Sequence, residues 1–176
     1  HLSDAVHLWC SLVKNQELSS YRAAIKNRVE DAVEPFHILA YMTDHRYQEE
    51  WKNFIDSNHE NTAEEWLEER DPEFLGLLFK FKLRDREVFP KQMFSDSLKE
   101  ISPSEWWTIM KDKTSRCSSN QTPDSVNFCT FLASLHSCPA SSASIEGRFS
   151  TFGLVWSKLR NRLGAEKAMK LVKIYK

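Results

Sequence analysis

The fold of this chain is indicated most directly by the stretch Cys138-Pro139-Ala140-Ser141-Ser142-Ala143-Ser144-Ile145-Glu146-Gly147-Arg148-Phe149-Ser150-Thr151-Phe152-Gly153, which is followed by Lys158-Leu159-Arg160-Asn161-Arg162-Leu163. Serines that precede apolar residues at three- and four-residue spacing are typical of a capped helix. The second segment is basic, and from Ser141 onward eight Lys or Arg residues face two acids, a net charge of +6. The first 140 residues carry −7, with acids concentrated in 49–73. This polarity indicates that the two ends face different partners or each other.

Apolar residues recur at helical spacing between residues 5 and 13 and between 21 and 36. Ser3 or Asp4 is the expected N-cap of the first helix, and Pro35 is expected to kink or end the second. The nearly continuous apolar run 36–42 favours a buried helix. Strand alternation is not convincing anywhere in the sequence, so the pattern predicts an all-α fold, an irregular helical bundle.

Capping residues mark further helix starts. Thr62 with Glu65 has the spacing of a capping box, and Asp71-Pro72 combines a cap with a proline in the first turn. The segment 102–105 (Ser-Pro-Ser-Glu) combines the capping-box spacing with a proline in the first turn. Pro123, which follows Thr122, marks another helix start. The polar, Ser-rich stretch 111–123 between the last two is predicted to be a loop.

Composition narrows the class of protein. A hydrophobic content of 41%, with six Trp and eleven Phe, is enough for a folded core and argues against wholesale disorder, whereas only four Gly argue against a turn-rich β fold. Four cysteines without a CxxC pair favour a reduced intracellular compartment. A signal peptide and an apolar run of about 18 residues are both lacking, so no membrane association is expected. Because the sequence begins at His1 without Met, we expect a piece of a longer protein.

The segments quoted first resemble the C-terminal region of hAT-family transposases, whose pattern reads approximately P-A-S-S-A-x-x-E-R-x-F-S-x-x-G and then K-x-R-N-R-L. Upstream, 103–107 (Pro-Ser-Glu-Trp-Trp) is similar to the P-x-x-W-W that opens the dimerisation region of that family, and the apolar helix expected over 126–135 follows in the same order. The resemblance is strong over 101–176. Residues 1–100 resemble less specifically the end of the family's helical insertion domain, through 35–42 and Arg46-Tyr47.

This resemblance implies two regions: 1–100 from the insertion domain, and 101–176, whose last helices would pack on an RNase H-like fold that is otherwise absent. It implies a homodimer, a nuclear location and DNA contact through the full-length protein, whose remaining catalytic Asp residues and zinc finger would lie upstream. A rival interpretation is a domesticated transposase domain that binds another protein in a chromatin or transcription factor. Gly147 stands where the family has Arg, which favours this rival.

Glu146 matches the family's third catalytic carboxylate. The resemblance implies that it is a ligand for Mg²⁺ or Mn²⁺ in a full-length transposase, where the metal ions would assist DNA strand transfer. A single carboxylate cannot fix a divalent cation, since hard cations take around six oxygen ligands, and we expect no catalysis from this chain alone. The alternative is a first-turn helix acid stabilised by the helix dipole and by Arg148.

Trp106 and Trp107 carry the dimer hypothesis. Adjacent residues lie about 100° apart on a helix, so one indole can enter the core while the other faces a partner as a hot spot; the alternative is that both are buried within one chain. The partner is expected to be a second copy, or a heterologous protein under the rival interpretation. The further interface candidates are Phe128, Phe131, Leu132, Leu135, Phe149, Phe152, Leu171 and Tyr175.

The basic residues of the last segment could contact nucleic acid. Neutralising several phosphates gives strongly salt-dependent binding, and the candidates are Arg148, Lys158, Arg160 and Arg162. Their alternatives are a solvated helix face, or a surface that docks the acidic 49–73 region. Cys129, His136 and Cys138 match no zinc-finger spacing and lack a fourth ligand, so we expect packing residues.

Overall fold

A computed structural model describes residues 1–48, 50–116 and 123–140, and over these ranges the chain forms helices and turns without a strand. The all-α prediction is therefore confirmed. The helices are α1 (Leu2–Lys14), α2 (Arg22–Ala32), α3 (Pro35–Met42), α4 (Ser57–Arg70), α5 (Pro72–Lys82), α6 (Pro103–Arg116) and α7 (Pro123–Ser137). Short 3-10 helices lie at Gln16–Tyr21, Trp51–Asn53, Lys91–Phe94 and Asp96–Leu98.

Helix α3 is the centre of the fold. Its residues 38–42 are all buried, because α1, α4 and α7 pack around it. A helix that is covered on every side has no polar face, so it shows no helical period. The apolar run 36–42 thus belongs to a buried helix, as the sequence favoured.

Two predicted helix starts are confirmed by their caps. Asp71 Oδ1 accepts a hydrogen bond from the Glu73 amide at 3.1 Å, and Pro72 opens α5. At the start of α6 the Glu105 carboxylate accepts the Ser102 amide at 3.3 Å, and the Glu105 amide donates to Ser102 Oγ at 3.4 Å. This reciprocal pair is a capping box.

The predicted start at Thr62 is wrong. Helix α4 begins at Ser57, where Asp56 Oδ1 accepts the His59 amide at 2.9 Å. Thr62 lies one turn further along and donates its hydroxyl to the Asn58 carbonyl at 2.9 Å. The Thr-x-x-Glu spacing also arises inside a helix, where the Thr hydroxyl bonds backwards instead of capping.

Other boundaries differ by a few residues. Helix α1 begins at Leu2 with His1 as N-cap, earlier than Ser3 or Asp4. Pro35 separates two helices, as expected, since α2 ends at Ala32 and α3 begins at the proline. The loop predicted over 111–123 begins too early in the sequence, because α6 continues to Arg116.

Residues 1–140 belong to one compact unit. Its most extensive helix pairing is the α6–α7 hairpin, and α5 and α3 pack against α7. The buried core takes residues from both sides of position 100, and the family-based division into 1–100 and 101–176 stays a prediction. Among the described helices, none combines the length and the apolar character needed to cross a bilayer.

Candidate functional site

Trp106 and Trp107 are both buried. Neither side chain has exposed surface (0% for each). Trp106 Nε1 donates to the Met93 carbonyl at 2.9 Å, and Trp107 Nε1 donates to the Thr43 carbonyl at 3.0 Å. The expectation that one indole faces away from the core is therefore not met. The structure buries both indoles within one chain, which is the alternative that the sequence left open.

The tryptophan pair is covered from two directions. The Trp106 ring stacks on His45 in the turn after α3, with ring centroids 5.0 Å apart and planes 4° apart. The Trp107 ring lies 4.9 Å from Phe81 on α5. Both covering residues are distant in sequence from α6, so the pattern of α6 alone could not indicate them.

The apolar residues of α7 also belong to the core. Phe128 and Leu132 are fully buried and Leu135 is 8% exposed. Phe131 is partly buried, and its ring centroid lies 5.5 Å from that of Phe74. Phe128, Leu132 and Leu135 belong to the core, and Phe131 packs against it. Their contribution to a dimer contact stays a prediction.

The hairpin presents hydroxyl residues outward. Thr108, Thr130 and Ser134 are exposed and donate their hydroxyl protons to carbonyls four residues earlier in their own helices. The large hydrophobic side chains exposed in the described ranges are divided among α1, the turn before α2, the end of α5, and α6. They are Leu8, Tyr21, Phe79, Leu83 and Ile109.

The block around Glu146 lies outside the described residues, and so does everything that follows it. The predicted residues concerned are Glu146, Arg148, Phe149, Phe152, Lys158, Arg160, Arg162, Leu171 and Tyr175. Their roles stay predictions.

Cys129 and His136 are buried core residues. Burial raises the pKa of the Cys129 thiol to about 12 and lowers the pKa of His136 to about 4. Thr43 gives its hydroxyl proton to the Leu39 carbonyl at 2.7 Å, so His136 Nε2 must be the donor in its 3.1 Å contact with Thr43 Oγ1. Cys138 is exposed. The described residues contain no group of three or more His, Cys, Asp or Glu side chains placed to hold a metal ion.

A charged cluster that the sequence did not single out ties α1 to the turn after α3. The Arg46 guanidinium bonds Asp44 through Nε (3.1 Å) and Nη2 (2.7 Å), and Nη2 also reaches Asp4 at 2.6 Å. Tyr47 donates its hydroxyl to Asp4 at 3.0 Å. Burial alone would raise the pKa of Asp4, but Arg46 holds it below its ordinary value. Local sequence gives no signal for this cluster, because Asp4 lies 42 residues from Arg46.

Two cavities differ in chemistry. The first, of about 140 Å³, lies between α1, α2 and the turn before α4, and it is lined mainly by apolar side chains such as Val6, Trp9 and Val29. The second, of about 110 Å³, is mainly polar and includes Gln48 and Lys52 in its lining.

Comparison with protein-family models, with curated proteins and with solved structures gives no match to this chain.

Proposed function

We propose that this chain is the C-terminal dimerisation region of a hAT-type DNA transposase or of a protein derived from one. The observation that carries the proposal is the order of its motifs: Pro-x-x-Trp-Trp at 103–107, an apolar helix, the Ser-rich block around Glu146, and Arg-Asn-Arg-Leu at 160–163. Several consecutive motifs in register are a more specific signal than any one of them.

The α6–α7 hairpin supports the proposal. It contains the first two motifs, and its buried face holds the tryptophan pair and the α7 residues Phe128 and Leu132. Close packing of the two helices reduces the conformational entropy that would be lost when a partner binds. In this proposal the buried aromatic residues position the hairpin, and contact with the second copy falls to other side chains.

Within the full-length protein, Glu146 would add one carboxylate to a strand-transfer site that uses Mg²⁺ or Mn²⁺. One carboxylate supplies only a fraction of the about six oxygens that such a cation takes. The proposal therefore assigns no catalytic step to this chain alone. DNA contact through Arg148, Lys158, Arg160 and Arg162 and a nuclear location belong to the same proposal.

Analytical ultracentrifugation over a micromolar concentration series tests the dimerisation. The expected result for the unchanged chain is a reversible dimer. A double variant, Leu171→Glu with Tyr175→Glu, should sediment as a monomer. The matched control replaces two exposed apolar side chains, Leu83→Glu with Tyr21→Glu, and should remain a dimer. A monomer at every concentration, or equal behaviour of both double variants, would remove the proposal.

A second candidate function is binding of a different protein by a domesticated domain, which Gly147 in place of the family's Arg favours. In that case the complete gene would lack the upstream catalytic Asp residues at family spacing. If those Asp residues are present and their replacement abolishes strand transfer, this second candidate is excluded.

A further inference from the structure

We propose that the apolar cavity between α1, α2 and the turn before α4 binds a small uncharged aromatic molecule of about one ring. The volume of the cavity is about 140 Å³. An engineered apolar cavity of about 150 Å³ in another protein stays dry and binds benzene. The volume therefore limits the ligand to a single ring with small substituents.

The cavity is present because short side chains meet where α1 faces α2. Its lining includes Val6 and Val13 on α1, Val29 on α2, and Val33 directly after α2. A valine side chain ends at its two γ carbons, so it leaves space that Leu or Phe would occupy at the same position. Elsewhere Trp and Phe side chains fill the core. The choice of valine on these two helices thus produces the void.

The burial of the lining residues shows that one end of the cavity is open. Val6 and Ile38 are only 1% and 3% exposed, so they form the closed end. The exposed members of the lining are all charged, and they mark the mouth: Lys14, Lys26, Glu30 and Asp56. A ligand can therefore enter without unfolding of the chain, and it would remove apolar wall surface from water.

Helix α2 is the outer wall of this cavity. The structure describes α2 throughout, and none of its residues is buried. Val29 is only partly buried, so its side chain has room for further apolar contacts. A ligand between α1 and α2 would supply those contacts, and its binding should stabilise the folded chain.

The charged groups at the mouth are already engaged. The Lys14 ammonium bonds the Asn53 carbonyl and lies 4.0 Å from the centroid of the Phe54 ring. Lys26 Nζ is 3.8 Å from Glu30 Oε1. Asp56 Oδ1 accepts the His59 amide at 2.9 Å. The two cations and two carboxylates also balance each other, so the mouth offers no excess charge to an ionic ligand.

The wall favours an aromatic ring over an aliphatic chain. It includes Trp9, Phe54 and Cys10. Aromatic rings attract one another in edge-to-face and offset arrangements, and a sulfur atom makes favourable contacts with the edge of a ring. Burial raises the pKa of the Cys10 thiol, against the opposing effect of Lys14, so the thiol is neutral at neutral pH. An uncharged ring matches this wall.

Thermal melting of the full chain, followed by circular dichroism with toluene as the probe, tests the site. Toluene at about ten times its Kd should raise the Tm by about 3–5 °C. Benzoate and benzylammonium carry the same ring with a negative or a positive charge. At the same concentration each should raise the Tm by less than about 1 °C, because the cavity would leave the charge unpaired. No rise with toluene, or an equal rise with either ion, would overturn the proposal.

Two matched variants locate the effect. Val29→Phe places a ring in the cavity from α2, so it should abolish the toluene response. Without ligand this variant should melt no lower than the unchanged chain, because filling a void is stabilising. Val126→Phe makes the same change at a partly buried valine on α7 and should keep the full response. A response that survives Val29→Phe, or that both variants lose, contradicts the site.

Alkylation of Cys10 locates the ligand without changing any valine, so it decides the matter even if Val29→Phe fails to fold. In a background of Cys117→Ser and Cys138→Ser, the two remaining thiols are Cys10, which is partly buried, and Cys129, which is buried. Toluene at ten times its Kd should slow the reaction of Cys10 with iodoacetamide about tenfold. An unchanged rate at Cys10 together with a raised Tm would mean that toluene binds elsewhere, and the proposal would be lost.

A free molecule and the Phe side chain of a partner protein would present the same ring. N-acetylphenylalanine amide carries that ring on a peptide backbone and separates the two sources. A smaller rise in Tm than with toluene at equal concentration supports the small molecule. A larger rise would assign the cavity to an anchoring side chain and overturn the proposal. The site uses neither the α6–α7 hairpin nor residues 141–176, so these outcomes do not depend on the dimerisation proposed above.

Discussion

Replacing Trp107 by Ala separates a core role of the tryptophan pair from an interface role. The side chain is fully buried, and removing a buried Trp costs about 3–5 kcal/mol of folding free energy. Its indole also donates to the Thr43 carbonyl at 3.0 Å, and losing that hydrogen bond costs about 1 kcal/mol more. The expected loss is therefore about 4–6 kcal/mol, a large share of the about 5–15 kcal/mol that stabilises a typical domain.

Chemical denaturation followed by far-ultraviolet circular dichroism measures this loss. Fluorescence is less suitable, since Trp107 is itself one of six tryptophans. Trp107→Phe is the matched variant: it keeps an aromatic ring near Phe81 and removes the N–H donor, and it should cost about 1–3 kcal/mol. Ile109→Ala, at a residue 37% exposed on the same helix, should cost less than about 1 kcal/mol.

A Trp107→Ala variant whose free energy of unfolding lies within about 1 kcal/mol of that of the unchanged chain would show that the indole is not a core residue. If that variant were also a monomer while the unchanged chain is a dimer, the indole would be an interface hot spot and not a core residue. A loss of stability in both variants, larger for Trp107→Ala than for Trp107→Phe, supports the buried position.

Three further perturbations test the rest of the described fold. Asp44→Asn removes the buried carboxylate that bonds Arg46 and should cost about 2–3 kcal/mol in a denaturation experiment; a change near zero would show that the cluster contributes little. Burial lowers the folded-state pKa of His136 to about 4. The contribution of His136 to the free energy of unfolding is therefore complete above the ordinary His pKa near 6.5. It decreases as pH falls towards 4, by about 2 kcal/mol at pH 5. Measured against pH, His136→Asn should remove that part of the decrease, and an unchanged profile would contradict the assignment. Lys82→Met leaves two carboxylates without their shared cation and should cost about 1–2 kcal/mol, whereas Lys80→Met, exposed on the same helix, should change the denaturation midpoint little; equal effects would be evidence against the ion pairs.

Local sequence predicts those features that local chemistry determines. The starts at Asp71-Pro72 and at Ser102 were predicted correctly, because the capping groups and the amides they satisfy are only a few residues apart. The same logic failed at Thr62, since the capping motif is short enough to occur by chance inside α4. Choosing between a start at Asp56 and a start at Thr62 requires knowing which residues of α4 are packed.

Features that depend on distant residues could not be predicted. Burial of both indoles depends on His45 and Phe81, which lie on other elements. The pairing of Arg46 with Asp4 joins residues 42 positions apart. Periodicity reports which face of a helix is apolar and not what covers that face.

The burial of the tryptophan pair changes where a dimer contact should be sought. A stable interface buries about 1,200–2,000 Å² and depends on a few aromatic or Arg anchors. In the described ranges the large exposed apolar residues are divided among separate elements, and the exposed surface of the hairpin is rich in hydroxyls that bond their own helices. For the homodimer proposed above, we therefore expect the anchors mainly among the predicted residues outside the described ranges, Phe149, Phe152, Leu171 and Tyr175. Substitutions there can change association without changing the core, whereas substitutions at Trp106 or Trp107 change the core first, and any loss of association they cause is secondary to unfolding.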